Sequence, residues 1–289
     1  CCLPDFNSSS VFAKMLDNNI GGEFSVQMEE GYTVQQEYME NTNILVTRFS
    51  KEEDVFEIID FMPRFQSEDG SFFHPPDIVR FIKHISGHPR VKFIYNPKLC
   101  YAEHETKTVV EDEYIKSFTT KGVYESVYLY TNLDFNQVVK GESIDIKNDA
   151  YFLLSYNQKI EEIKLNKIYL KLQRTKEYWL KWVQRTYRYR KYNKEIVRSA
   201  LVLKLLTFQK TGSILAAVTT SIPETIGGLR NWDYRYCWLR DASMIIKTLT
   251  QLGHSNSAKW FLDFLMDLIP AKDEKIQIMY GIRGEKKLT

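Results

Sequence analysis

IEEIKLNKIYLKLQRTKEYWLKW, Ile160 to Trp182, separates two kinds of sequence. Within it the apolar positions Ile163, Tyr169 or Leu172, Trp179 and Trp182 fall on one side of a helix, with Lys and Glu elsewhere, which predicts a long linking helix. Upstream the apolar residues come in short runs: ILVTRF (44–49), VFEIIDFM (55–62), VRFIKHI (79–85), VKFIY (91–95) and VYESVYLY (123–130). These runs are rich in β-branched and aromatic residues and are punctuated by Gly21-Gly22, Pro63, Gly70, Pro75-Pro76, Pro89 and Asn96-Pro97, as expected of an antiparallel β-sandwich. Downstream the period is helical. KEIVRSALVLKLLTF (194–208) is apolar on nearly every side and predicts a buried helix. A loop over 209–236 follows, then a helix over Leu239 to Leu252 closed by Gly253. A third helix is capped by Ser257 and stopped by Pro270. The expected organisation is multidomain β + α: a β-sandwich over 1–158, a helical linker over 159–193, and an all-α part over 194–289.

At 289 residues the chain is long enough for two cores. A 44% hydrophobic and 26% charged composition is that of a globular protein. No apolar run reaches the roughly 18 residues of a membrane span. The 39 basic and 37 acidic residues nearly cancel, so net charge gives no bias toward nucleic acid. Twelve Lys or Arg between Lys164 and Arg198 form a local exception, read as a solvated linker face whose stems cover apolar surface. Cys1, Cys2, Cys100 and Cys237 have neither metal-ligand spacing nor scaffold density, which points to a reducing, cytoplasmic setting. The five His form no metal motif, so neither a metal nor another cofactor is expected.

The chemistry concentrates in NWDYRYCWLRDA, Asn231 to Ala242. Aromatic faces suit the C–H faces of a sugar, while guanidinium and carboxylate suit its hydroxyls. Oriented charged partners also reject the wrong hydroxyl geometry, because a mismatch leaves them unpaired. Arg240 and Asp241 could equally be a neighbouring ion pair at a helix start, with the rings as core. Cys237 has no His nearby in sequence and reads as packing.

The longer run AAVTTSIPETIGGLRNWDYRYCWLRDASMIIKTLTQLG (216–253) resembles the signature of glycoside hydrolase family 15, the glucoamylases, glucodextranases and prokaryotic trehalases. CCLPDFNSSSVFAKMLDNNIGGEF (1–24), QEYMENTNILVTRF (36–49), DFMPRF (60–65) and QIMYGIRGE (277–285) resemble its trehalase-like branch. The resemblance implies a β-sandwich, a helical linker and an (α/α)6 barrel. It implies that Tyr234, Trp238, Arg240 and Asp241 bind the substrate's non-reducing glucose: Arg240 and Asp241 hydrogen-bond its outer hydroxyls, Trp238 lines the subsite, and Tyr234 approaches the catalytic base. Trp232 and Asp233 are secondary substrate-binding candidates.

The family inverts the anomeric centre with two Glu, and both follow the MYGI segment. A twelve-helix barrel needs on the order of 190 residues. The 194–289 stretch holds three or four helices. The expectation is therefore an N-terminal fragment with a truncated barrel, with neither catalytic Glu among residues 1–289 and no activity alone. Glu285 is not taken as the acid. The expected partner is an α-glucoside such as a maltooligosaccharide, dextrin or trehalose, with neither nucleic acid nor membrane as a partner. The alternatives are a non-catalytic carbohydrate-binding or assembly module, and a sugar phosphorylase.

Overall fold

The computed structural model describes residues 1–161, 163–218, 224–268 and 275–288. The chain divides into two compact units, Cys1–Leu180 and Lys181–Thr289.

The first unit contains strands β1 (Glu23–Met28), β2 (Thr33–Tyr38), β3 (Leu45–Lys51), β4 (Asp54–Phe61), β5 (Phe65–Gln66), β6 (Phe72–Phe73), β7 (Ile78–Ser86), β8 (Arg90–Asn96), β9 (Thr106–Val110), β10 (Ile115–Thr119), β11 (Ser126–Thr131), β12 (Ser143–Asp145) and β13 (Ala150–Tyr156). A short helix α1 (Phe135–Lys140) precedes β12, and α2 (Leu165–Val183), whose residues from Lys181 on belong to the second unit, follows β13. A three-stranded sheet, β1-β8-β12, and an eight-stranded sheet, β2-β3-β4-β7-β13-β11-β10-β9, are antiparallel throughout.

One apolar core joins the two sheets. Val91, Phe93 and Ile144 from the small sheet meet Phe56, Ile82, Leu129, Phe152 and Leu154 from the large one. Strand β8 shows the alternation this requires: Val91, Phe93 and Tyr95 are buried while Arg90, Lys92 and Asn96 are exposed. Strand β13 shows none, and every residue from Ala150 to Ser155 is buried. It lies in the middle of the large sheet between β7 and β11, and both of its faces are covered. On the second face the Tyr151 hydroxyl donates to the Ile163 carbonyl at 3.1 Å, and the Phe81 and Tyr169 rings sit 6.3 Å apart.

Helix α2 buries Ile168, Leu172, Thr175, Trp179 and Trp182, a heptad-like stripe. Leu172 rather than Tyr169 is the inward residue, and Tyr169 is 53% exposed. The strand expected from Val123 begins only at Ser126, because Thr119 N–H bonds to the Glu125 carbonyl and closes a turn over the intervening residues.

The second unit contains α3 (Asn193–Leu205), β14 (Cys237–Trp238), α4 (Leu239–Gln251), α5 (Ser255–Leu268) and β15 (Met279–Tyr280). Helix α3 is buried along one side, through Val197, Ala200, Leu201 and Lys204, while Val202 is exposed; the all-round burial expected for 194–208 does not hold. The Lys204 ammonium lies 5.1 Å from the Trp260 ring centre and 3.4 Å from the Gln209 side-chain oxygen, so the buried charge meets a ring face and an amide oxygen. Gly253 ends α4 in the left-handed region at φ 98, as its position predicts. Helix α5 starts two residues before Ser257, which is buried inside the first turn and donates its N–H to the His254 carbonyl; it is not the cap. Pro270, the expected stop, lies outside the described residues. No helix among the described residues is long and apolar enough to cross a membrane.

The α4–α5 corner carries a titratable group. His254 is buried, stacks on Trp182 at 3.8 Å and shares a 2.8 Å hydrogen bond between Nε2 and the Thr186 hydroxyl. Burial first, and then the positive charges of Lys204 and Arg185, push its pKa down to about 4. In the unfolded chain the imidazole titrates near ~6.5. Stability is therefore full above that value and falls as pH drops from there toward the folded value, by about 3 kcal/mol. Urea midpoints at pH 7 and pH 4.5 check this: His254→Phe should flatten the pH dependence relative to wild type, and an unchanged dependence contradicts the assignment.

Candidate functional site

The segment Tyr234–Trp238 is held from both sides. Ala216 and Ala217 N–H groups donate to the Tyr236 and Tyr234 carbonyls at 3.3 and 2.9 Å. On the other side β14 pairs with β15, matching Cys237 with Tyr280 and Trp238 with Met279, and Leu239 N–H reaches the Ile278 carbonyl at 3.1 Å. Cys237, Ala242 and Tyr280 anchor the strand and the first turn of α4 in a core with Ile214, Phe261 and Phe264. Burial pushes the Cys237 thiol pKa up to about 11, so at neutral pH it is a packed thiol rather than a nucleophile.

The opposite side carries the rings and charges. Trp238 lies edge-to-face with Trp232 at 5.8 Å and is stacked with Tyr234 at 5.8 Å. All three rings are partly or largely open to solvent. Arg240 and Asp241 stand at the start of α4, where an acidic side chain in the first turn is favoured by the helix dipole. They bond to each other at 3.1 Å, with Arg240 79% and Asp241 32% exposed. A pair this exposed is worth about 0–1 kcal/mol, so little is lost when a ligand redirects both groups.

The structure thus brings Trp232, Tyr234 and Trp238 together and sets Arg240 and Asp241 on the adjoining helical turn. It gives Asp233 a different set of contacts. The Asp233 carboxylate accepts from the Arg235 guanidinium at 2.8 and 3.1 Å and from the Arg235 backbone N–H at 2.8 Å. Arg235 drew no attention in the sequence; the only signal was its Asp-x-Arg spacing. Asn231 is used by its own loop, donating to the Thr225 and Gly228 carbonyls. Glu285 closes the 281–285 turn through the Arg283 and Gly281 N–H groups. Among the described residues no group of three or more His, Cys, Asp or Glu is placed to hold a metal ion.

The model of the family described as Glycosyl hydrolases family 15 matches residues 190–289, and that described as Trehalase-like, N-terminal matches residues 1–135. The chain belongs to glycosyl hydrolases family 15. The trehalase-like match lies within the β-rich unit and the family 15 match within the helical unit. The chain is similar to the protein named Trehalase of Thermoplasma volcanium, 34% identical over 296 residues, covering 99% of this chain and 46% of that protein. It is 35% identical over 286 residues to the Trehalase of Thermoplasma acidophilum, covering 97% and 48%. A shorter match of 41% identity over 126 residues links it to the Trehalase of Mycobacterium tuberculosis, covering 41% and 18%. The chain spans about half the length of the first two of these relatives.

Proposed function

We propose that residues 1–289 form the N-terminal part of an inverting, exo-acting α-glucoside hydrolase of trehalase type. In this reading Tyr234, Trp238, Arg240 and Asp241 form one wall of the glucose subsite, with Trp232 at its rim. The observation that carries it is the joining of three partly exposed rings to an adjacent, reorganisable Arg–Asp pair, inside the segment that matches family 15. The rings take the sugar's C–H faces, and Arg240 and Asp241 take its hydroxyls. The names of the relatives favour trehalose among α-glucosides.

The division into a sandwich over 1–158, a linker over 159–193 and the opening helices of an (α/α)6 barrel over 194–289 belongs to the same proposal. So does the position of the acid and base Glu outside these residues. In such an enzyme the acid protonates the glycosidic oxygen as the base takes a proton from water attacking the opposite face, with the carboxyls roughly 6.5–9.5 Å apart. The four Cys have neither metal-ligand spacing nor the density of a disulfide scaffold, which favours a cytoplasmic setting.

The test is the anomeric outcome. In trehalose both linked carbons are α, so inversion releases one β-glucose and one α-glucose, whereas retention releases only α-glucose. Proton NMR of freshly formed product from the intact protein should show the two anomers in equal amounts. Product that is all α, or glucose 1-phosphate formed only when phosphate is supplied, overturns the proposal.

A further inference from the structure

The most enclosed charge pair beside the proposed subsite is not the Arg240–Asp241 pair but Asp233 with Arg235, whose side chains are 24% and 18% exposed. Their geometry is a fork: Arg235 Nε donates to Asp233 Oδ1 at 3.1 Å and Nη2 to Oδ2 at 2.8 Å, and the Arg235 backbone N–H closes a turn onto Oδ1 at 2.8 Å. Two parallel charge-assisted bonds fix direction as well as distance, which a single contact does not. The consequence reaches Trp238 through the backbone. Its indole Nε1–H donates to the Asp233 carbonyl at 3.0 Å, so the residue clamped by Arg235 also sets the angle of the ring. That ring is flanked by Trp232 and Tyr234, the two residues on either side of Asp233 in sequence, at 5.8 Å each. One clamped residue therefore registers all three rings.

We infer that Asp233 and Arg235 are positioning residues: their fork holds the Asp233 carbonyl in the place that orients the Trp238 indole, and so sets the glucose-stacking face in advance. This rests on the proposed glucose subsite for its functional consequence, though not for the local geometry. A pre-set stacking face is used alike by bound substrate and transition state, so its loss raises KM and leaves kcat nearly unchanged.

The experiment is done on the intact protein, with trehalose as the probe and the assigned indole N–H signals of a 15N-labelled sample as a second readout. Asp233→Asn keeps the shape and removes the charge. It should move the Trp238 indole signal and raise KM for trehalose about tenfold, with kcat within about twofold, because a charge-assisted bond is worth roughly one such factor. Arg235→Lys keeps the charge without the fork and should act in the same direction but less, which also covers the case in which Asp233→Asn fails to fold. A Trp238 signal that stays in place in the folded variants overturns the inference, and so does a loss confined to kcat. If the wild-type protein leaves trehalose uncleaved, the glucose-subsite reading fails, while the indole signal alone still decides whether the fork positions the ring.

Discussion

Asp241→Asn in the intact protein should lower kcat/KM for trehalose about 100-fold, the equivalent of about 3 kcal/mol. The carboxylate stands in the first turn of α4, beside Arg240 and next in sequence to it. In the proposed subsite it accepts hydrogen bonds from sugar hydroxyls, and the amide offers a donor where an acceptor is needed. Stability should hardly change, because the exposed partner contact contributes only about 0–1 kcal/mol. The combination separates recognition from folding: steady-state kinetics should fall while the urea midpoint stays. A decrease of less than about fivefold, against the ~1.5–3 kcal/mol typical of one charged hydrogen bond, would remove Asp241 from the subsite.

Phe152→Ala should cost about 3–5 kcal/mol of stability in the first unit. Phe152 is fully buried on β13, with Phe24 at 5.2 Å and Phe93 at 4.8 Å, so it touches both strands of the β1–β8 pair across the core. Its loss leaves a cavity that two facing sheets cannot close without moving apart. Phe152→Leu, which keeps most of the volume, should cost markedly less. The urea transition of the β-rich unit measures both, and a shift below about 1 kcal/mol for the alanine variant would mean the sheets do not share one core.

Local signals in the sequence carried much of this fold. The alternation of Arg90 to Asn96, the stripe through Leu172 and Trp179, and the left-handed stop at Gly253 each state their structure within a few residues. What escaped reading was set by distant partners. Strand β13 lacks alternation because a sheet covers one face and the α2 lead-in the other, and no window of sequence contains both. The β7–β13 pairing joins residues some seventy positions apart, such as Val79 with Leu153. At the candidate site the rings and Arg240–Asp241 were visible by composition. Arg235 was not, since an i,i+2 pair meets only when the backbone folds into the turn seen here. Lys204 gave the opposite surprise, a buried charged residue whose ammonium lies against the Trp260 ring.

The five Trp residues place reporters on both units, with Trp179 in the β-rich unit and Trp232, Trp238 and Trp260 in the helical one. Titrating trehalose into the 15N-labelled intact protein and following the five indole signals therefore tests the central claim directly. The account predicts a saturable shift of Trp238, accompanied by Trp232, with Trp179 and Trp260 unmoved. Shifts confined to Trp179, or a saturable response that leaves Trp238 in place, would contradict a glucose subsite built on the segment Asn231 to Ala242.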